Sequence, residues 1–166
     1  MSPERFVNLF ESHAAVLVLY ARQWSSTPED VVQTAFLRLA AVTRWPDELV
    51  AWLFRVVRNA AIDQAKAEAR RRKHEVQAAG QVERWFHPAP DGLGIDAQAA
   101  TAAVQSLPED EREILVAHLW GGLTFEQIAR LVGQSPATCR RRYHSALSRF
   151  RQLLRVPCPT IPETTK

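Results

Sequence analysis

Thr124-Phe125-Glu126-Gln127-Ile128-Ala129-Arg130-Leu131-Val132-Gly133-Gln134-Ser135-Pro136 holds a helix start, a turn and a second helix start within one short stretch. Thr124 followed three residues later by Gln127 has the form of a capping box, in which two side chains satisfy first-turn amides reciprocally. The helix that begins there buries Ile128, Ala129 and Val132. It stops at Gly133, which reaches a turn conformation that other residues resist. Ser135 and Pro136 then open the next helix at once, with proline at the first helical position. Helix, three-residue turn around a glycine, helix is the spacing of a helix-turn-helix. Ala129 is expected to be small because the second helix crosses close above it.

The second helix predicts an inner face of Cys139, Tyr143, Ala146, Leu147, Phe150 and Leu154. Its outer face carries Ala137, Thr138, Arg141, Ser145 and Ser148, flanked by Arg140, Arg142 and His144. The first turns of a recognition helix lie in the major groove, where side chains reach base edges. The expected DNA-facing set is therefore Ser135, Ala137, Thr138, Arg140, Arg141, Arg142, His144 and Ser145. Arg141 and Thr138 are the foremost candidates for base contacts, because arginine can bond a guanine through two acceptors at once. Arg140, Arg142, Arg149 and Arg151 suit phosphates, which set register and affinity without reading sequence. Cys139 takes a position that calls for a small buried apolar group.

Working outward, apolar residues recur at intervals of three and four and period-2 alternation is absent, so the fold is predicted to be all-α. A first helix is expected from about Pro3 to Gln23, with Phe6, Leu9, Phe10, Val16, Leu17 and Tyr20 available for burial. Thr27-Pro28-Glu29-Asp30 reads as an N-cap, a first-position proline and an acidic first turn. That helix should bury Val31, Ala35, Leu39 and Val42. Trp45-Pro46-Asp47 interrupts the pattern. A third helix is then expected over about 47–75, with Leu49, Leu53, Val56, Val57 and Ala60 on one stripe and Arg55, Asn59, Asp63, Lys66 and Arg70 on the opposite one. Pro88, Pro90, Gly92 and Gly94 mark a linker in which Trp85 and Phe86 stand out. A short helix near 96–105 leads to another proline-initiated helix at Leu107-Pro108-Glu109-Asp110. The predicted architecture is two small helical domains joined by a flexible linker, with boundaries at 1–77, 78–95 and 96–155 and a tail at 156–166.

The 166 residues carry 21 Lys and Arg against 18 Asp and Glu, a net charge of +3 that names no partner until it is read by position. Residues 1–73 and 104–166 each carry +3, and residues 74–103 carry −3. Lys66 to Lys73 holds five cations and one anion, and Arg140 to Arg155 holds six cations and no anion. Each cluster closes a helical pattern, the footprint of a nucleic-acid binder. The acidic linker is expected to be able to fold back on the basic faces and mask them. With 46% hydrophobic residues a core can form. The longest apolar runs fall far short of the roughly 20 residues that span a bilayer, so no membrane insertion is expected. The start of the chain lacks a secretion signal, which points to the cytoplasm. Cys139 and Cys158 show neither CxxC spacing nor a histidine pair at zinc-finger distance, so neither a metal nor a disulfide is expected. The five histidines show no ligand spacing and no glycine-rich phosphate loop occurs, which argues against an enzyme and against a cofactor.

Four motifs in order then carry a resemblance: Asp30-Val-Val-Gln33-Thr-Ala-Phe36-Leu-Arg-Leu39, Trp52-Leu-Phe-Arg-Val-Val-Arg-Asn59-Ala-Ala-Ile-Asp63, Leu107-Pro108-Glu-Asp-Glu-Arg112 and Leu123-Thr-Phe-Glu-Gln-Ile-Ala129. Across about residues 5–75 and 100–154 the chain resembles bacterial RNA polymerase sigma factors of the sigma-70 family, extracytoplasmic function (ECF) subfamily. The resemblance implies that the first domain, region 2, binds core polymerase and the minus-ten promoter element. It implies that the second, region 4, reads the minus-thirty-five element by its helix-turn-helix. Asp30, Gln33 and Phe36 fall where the family's second helix docks on the beta-prime clamp helices, and region 4 would meet the beta flap. Trp45, Arg55, Asn59, Asp63, Lys66 and Arg70 would face the minus-ten element, with Asn59 reading a base edge and Asp63 either accepting from a base amine or pairing with Arg58 or Lys66. Arg70, Arg71, Arg72 and Lys73 would hold the duplex backbone. The stretch between Leu39 and Trp52 is a few residues shorter than the family's base-capturing loop. Trp45 could stack there on an extruded base or equally cover the core. Family behaviour also admits an anti-sigma factor as partner. The alternative from the residues alone is a helix-turn-helix regulator that binds duplex DNA without joining polymerase, a reading that leaves Asp30, Gln33 and the third helix without a task.

Overall fold

The computed structural model describes residues 3–75 and 97–154, with side chains from 72–75 and 97–98 left aside. Among the described residues there are helices and connecting turns and no strand: α1 (Pro3–Ala21), α2 (Pro28–Ala41), α3 (Leu49–Glu75), α4 (Ala97–Ser106), α5 (Glu109–Leu119), α6 (Phe125–Val132) and α7 (Pro136–Leu153). The linker expected at 78–95, Trp85, Phe86, Cys158 and the tail lie outside these residues, and with them the expected masking by linker acids.

The first three helices pack on one another around Leu17, Tyr20, Val31, Ala35, Leu39, Leu53, Phe54 and Val57, all buried. Each helix contributes residues spaced three or four apart, which places them on one face. Edge-on aromatic contacts organise the two ends of this core. Phe6 and Phe10 meet Phe36 with ring centroids 5.9 and 4.9 Å apart, and Tyr20 meets Phe54 at 4.8 Å. Phe10 nonetheless stays largely exposed.

Thr27 is positioned to cap α2, but its side chain makes no capping bond. Its hydroxyl instead accepts from Gln64 Nε2 at 2.9 Å, while Ser25 Oγ donates to Gln64 Oε1 at 2.7 Å. The α1–α2 turn is therefore tied to α3 rather than to its own helix. That choice depends on a partner 37 residues away, which helix-start rules do not consult.

In the second half, α5 and α7 form the main packed pair, with α6 laid against both. Ile114, Leu115, Ile128, Cys139 and Ala146 are fully or almost fully buried there. The capping box is present in both directions: Gln127 N donates to Thr124 Oγ1 at 3.2 Å, and Thr124 N donates to Gln127 Oε1 at 2.9 Å. Gly133 closes α6 at φ 72°, in the left-handed region where a side chain would be strained. Ser135 Oγ accepts from Thr138 N at 3.1 Å and starts α7.

Candidate nucleic-acid interface

On α3, Arg55, Asn59, Asp63, Lys66 and Arg70 are all exposed and follow one another at steps of three and four residues. They form one continuous polar stripe, because the opposite side of the helix is committed to the core through Leu53, Val57 and Ala61. Arg58, adjacent to this stripe, does not pair with Asp63. It turns away and donates from Nε to Glu113 Oε1 on α5 at 2.6 Å. Asp63 thus remains on the stripe without Arg58 as its counter-charge. Side chains of Arg72 and Lys73 lie outside the described residues.

Trp45 is half-buried against the core, and the Arg5 guanidinium sits 5.4 Å from its ring centroid. Its indole Nε1 is buried without a protein partner. The ring therefore already has a cation over it, a contact worth about 0.5–1 kcal/mol at exposed sites.

On α7 the outward set divides. Ala137, Arg140, Arg141 and His144 are exposed at the start of the helix. Arg140 lies over the Phe125 ring at 5.4 Å. Arg142 pairs with Asp110 and Arg149 with Glu111 at 3.4 Å, both acids on α5. Ser145 Oγ donates to Glu111 Oε1 at 2.8 Å, so it faces α5 rather than outward. Ser135 and Thr138 share a hydroxyl contact of 2.9 Å at the helix start. Unlike Arg140, which lies over a ring, Arg141 is thus exposed at the start of α7 with neither an ion pair nor a ring contact among those described. Beneath it, Cys139 is fully buried, and burial raises its thiol above the ordinary value, which suits packing rather than reactivity.

The docking triad expected on α2 is only partly exposed. Asp30 and Gln33 are open to solvent, but Phe36 is 3% exposed and packs on Phe6 and Phe10. The correction follows from helical geometry: Phe36 lies six residues from Asp30 and falls on the core side. Leu37 lies seven residues from Asp30 and four from Gln33, on the same face, and is 63% exposed. Spacing alone could have found Leu37, which the motif comparison passed over because apolar residues read first as core.

A polar cluster not visible in the sequence lies between the two halves. Glu113 is 6% exposed and its Oε1 accepts from Tyr20 Oη as well as Arg58 Nε, each at 2.6 Å. Burial first, and the neighbouring Glu113 charge second, push the Tyr20 phenol well above its ordinary value of 10.0. A phenol raised in the folded state adds stability that is fully present below pH 10 and lost as pH rises through the raised value. An ultraviolet titration should therefore show one of the two tyrosines ionising above the ordinary range. Two phenols titrating together near 10 in folded protein would contradict the burial of Tyr20.

Two family models match the chain: Sigma-70 region 2 over residues 9–71 and Sigma-70, region 4 over residues 97–150. The ECF RNA polymerase sigma factor EcfG of Rhodopseudomonas palustris is 30% identical over 133 residues, covering 77% of this chain and 71% of that protein. A probable RNA polymerase sigma factor, RfaY of Xanthomonas campestris pv. campestris, is 29% identical over 159 residues, covering 91% of this chain. The chain spans 39% of the length of that Xanthomonas protein. Among solved structures, the sigma factor RpoE of Bartonella quintana, in complex with the anti-sigma factor NepR, matches with a TM-score of 0.71 and 25% identity. That match covers 93% of this chain and 99% of the other.

Proposed function

Because the chain belongs to the sigma-70 family of RNA polymerase sigma factors, ECF subfamily, we propose that it directs core polymerase to a specific set of promoters and starts transcription there. The observation that carries this reading is the coexistence in one chain of three separate exposed faces. They are the α2 face of Asp30, Gln33 and Leu37, the α3 stripe from Arg55 to Arg70, and the start of α7 around Arg141. A regulator that never joined polymerase would need only the last.

In this reading residues 1–77 form the polymerase-binding and minus-ten unit, and residues 96–155 the minus-thirty-five unit. Asp30, Gln33 and Leu37 meet the clamp helices of the beta-prime subunit, with Phe36 setting the helix from below, and the second unit meets the beta flap. Asn59 reads an unpaired base through its amide, which offers both a donor and an acceptor. Lys66 and Arg70 meet phosphates, and Arg55 stands at the start of the stripe. Asp63 can only accept, so it suits a base amine. Trp45 closes the edge of the minus-ten face, its ring shared with Arg5. The protein carries out no chemistry itself, since polymerase supplies the active site and metal, and it acts in the cytoplasm. An anti-sigma factor is a fitting partner, as one is bound to the Bartonella relative.

Promoter-dependent initiation in a purified system with core polymerase tests the whole reading, and no initiation from any promoter bound in cells would overturn it. A finer expectation concerns Arg141. A bidentate arginine–guanine contact discriminates by about 1–3 kcal/mol, roughly 5- to 150-fold. Arg141→Ala should weaken binding to the minus-thirty-five element within that range and relax preference at one base pair. Uniform weakening across all sequences would instead make Arg141 a phosphate contact.

A further inference from the structure

Three rings, one each from α5, α6 and α7, meet in the helix-turn-helix. His118 of α5 stacks on Phe125, the first residue of α6, with ring centroids 4.3 Å apart and planes 21° from parallel. Tyr143 of α7 meets His118 edge-on at 4.6 Å and Phe125 at 5.6 Å. Such offset and edge-on pairs add attraction beyond the area they bury. The backbone around them is fixed as well. The Leu123 carbonyl accepts from His118 Nδ1 at 2.7 Å, and the capping box of Thr124 and Gln127 sets the chain on either side of Phe125. All three rings are only half-buried, so the cluster reaches the surface. There it meets a charge, the exposed Arg140 guanidinium, which lies over the Phe125 ring at 5.4 Å from its centroid.

The partner of a cation decides what else that cation can do. Arg142 and Arg149 commit N–H donors to the α5 carboxylates of Asp110 and Glu111. A ring face attracts the positive charge and leaves the N–H donors around the guanidinium rim available for a phosphate. Glu126 is the carboxylate placed to compete for Arg140. It is held below its ordinary value first by its own backbone amide, then by the Thr124 hydroxyl and to a lesser extent by Arg140, and no ion pair joins the two among the described residues. An arginine that is free in solution must also be ordered when it binds, at a cost in affinity. One already seated on a ring has lost part of that freedom before the encounter.

We propose that Phe125 is a positioning residue for DNA recognition: packed with His118 and Tyr143, its ring presets the Arg140 guanidinium for one backbone phosphate beside the minus-thirty-five element and so fixes the register of α7 on the duplex. The proposal rests on the reading of α7 as the helix that meets that element. Arg140 supplies the contact, Phe125 acts only through Arg140, and base preference stays with Arg141. A register contact gains from being fixed before the encounter, because every base contact along the helix depends on it.

The test is a double-mutant cycle on the full chain assembled with core polymerase, using promoter duplexes recovered from cells. Arg140→Ala should weaken binding about equally on duplexes with and without the minus-thirty-five element and reduce the salt slope by about one, as one lost phosphate contact does. Phe125→Leu keeps the charge and should weaken binding roughly three- to tenfold, the cost of ordering one arginine on arrival. Added to Arg140→Ala, it should change affinity by less than about twofold while lowering the melting temperature as much as it does alone. Phe125→Tyr keeps a ring face and should restore the affinity. In the free wild-type chain, the Phe125 ring current should move the Arg140 Nε–H resonance upfield, and this measurement decides if Phe125→Leu loses its helical circular dichroism. An unshifted resonance, or equal losses from Phe125→Leu with and without Arg140, overturns the proposal. Arg141→Ala separates it from the reading beneath it. Binding weakened by Arg141→Ala and untouched by Arg140→Ala removes the proposal and keeps α7 as the DNA reader, whereas binding untouched by both removes α7 and the proposal together. A chain that does not join polymerase loses the family role, and the same cycle on the free chain then decides the proposal.

Discussion

Phe54→Ala is expected to destabilise the first three helices by about 3–5 kcal/mol, the range for truncating a buried aromatic ring. Phe54 is fully buried, its ring meets Tyr20 edge-on at 4.8 Å, and its far edge faces Gly121. Truncation removes the transfer free energy of the ring and leaves a cavity between α1 and α3 that neither helix can close without losing the Tyr20 contact. The loss also reaches the domain interface, because the glycine that makes room for Phe54 belongs to the other half. Denaturant titration followed by circular dichroism should show a lower midpoint for the first transition. A loss below about 1 kcal/mol would mean that the site collapses around the gap and that Phe54 is not the keystone its burial indicates.

The second large effect is expected on the opposite surface. Leu37→Asp should weaken association with core polymerase by at least about 30-fold, the loss of some 2 kcal/mol typical of an interface hot spot. Leu37 is 63% exposed, so little intramolecular packing is removed and stability should change by about 0.5 kcal/mol or less. Its face also carries Asp30 and Gln33, and an apolar side chain flanked by polar ones is the composition of a docking centre. Fluorescence titration with labelled core polymerase measures the affinity, with thermal melting as the control. Unchanged affinity for Leu37→Asp together with a loss for Asp30→Ala would confine the docking face to the first two turns of α2. Unchanged affinity for both would remove α2 from the contact. Phe36→Ala distinguishes the two sides of the helix, since it should melt earlier before it binds worse.

Helix existence and the helix-turn-helix could be read from the chain because each rests on local chemistry. Thr124 finds Gln127 three residues away, Gly133 needs only its own backbone, and Ser135 caps the helix it begins. The α3 stripe was legible for the same reason, since helical spacing alone separates Arg55 and Asn59 from Leu53 and Val57. Motif matching carried Phe36 onto the expected docking face, whereas the fold buries its side chain, because a motif marks a neighbourhood and not the side of a helix on which each residue falls. Arg142 and Ser145 show a related limit: their contacts with Asp110 and Glu111 run across a helix pair that local spacing does not consult.

The net charge and its division by position were determined by the sequence, as were an all-helical fold and two basic helical ends. The contacts of Thr27 with Gln64, and of Glu113 with Tyr20 and Arg58, were decided only in the tertiary structure. Those partners lie 37, 93 and 55 residues apart. A buried carboxylate is tolerable only where donors from other elements converge on it, and convergence is a property of packing. Glu113 follows the acidic first turn of α5 in the chain, and it becomes a buried, doubly hydrogen-bonded carboxylate only when α1 and α3 close over it.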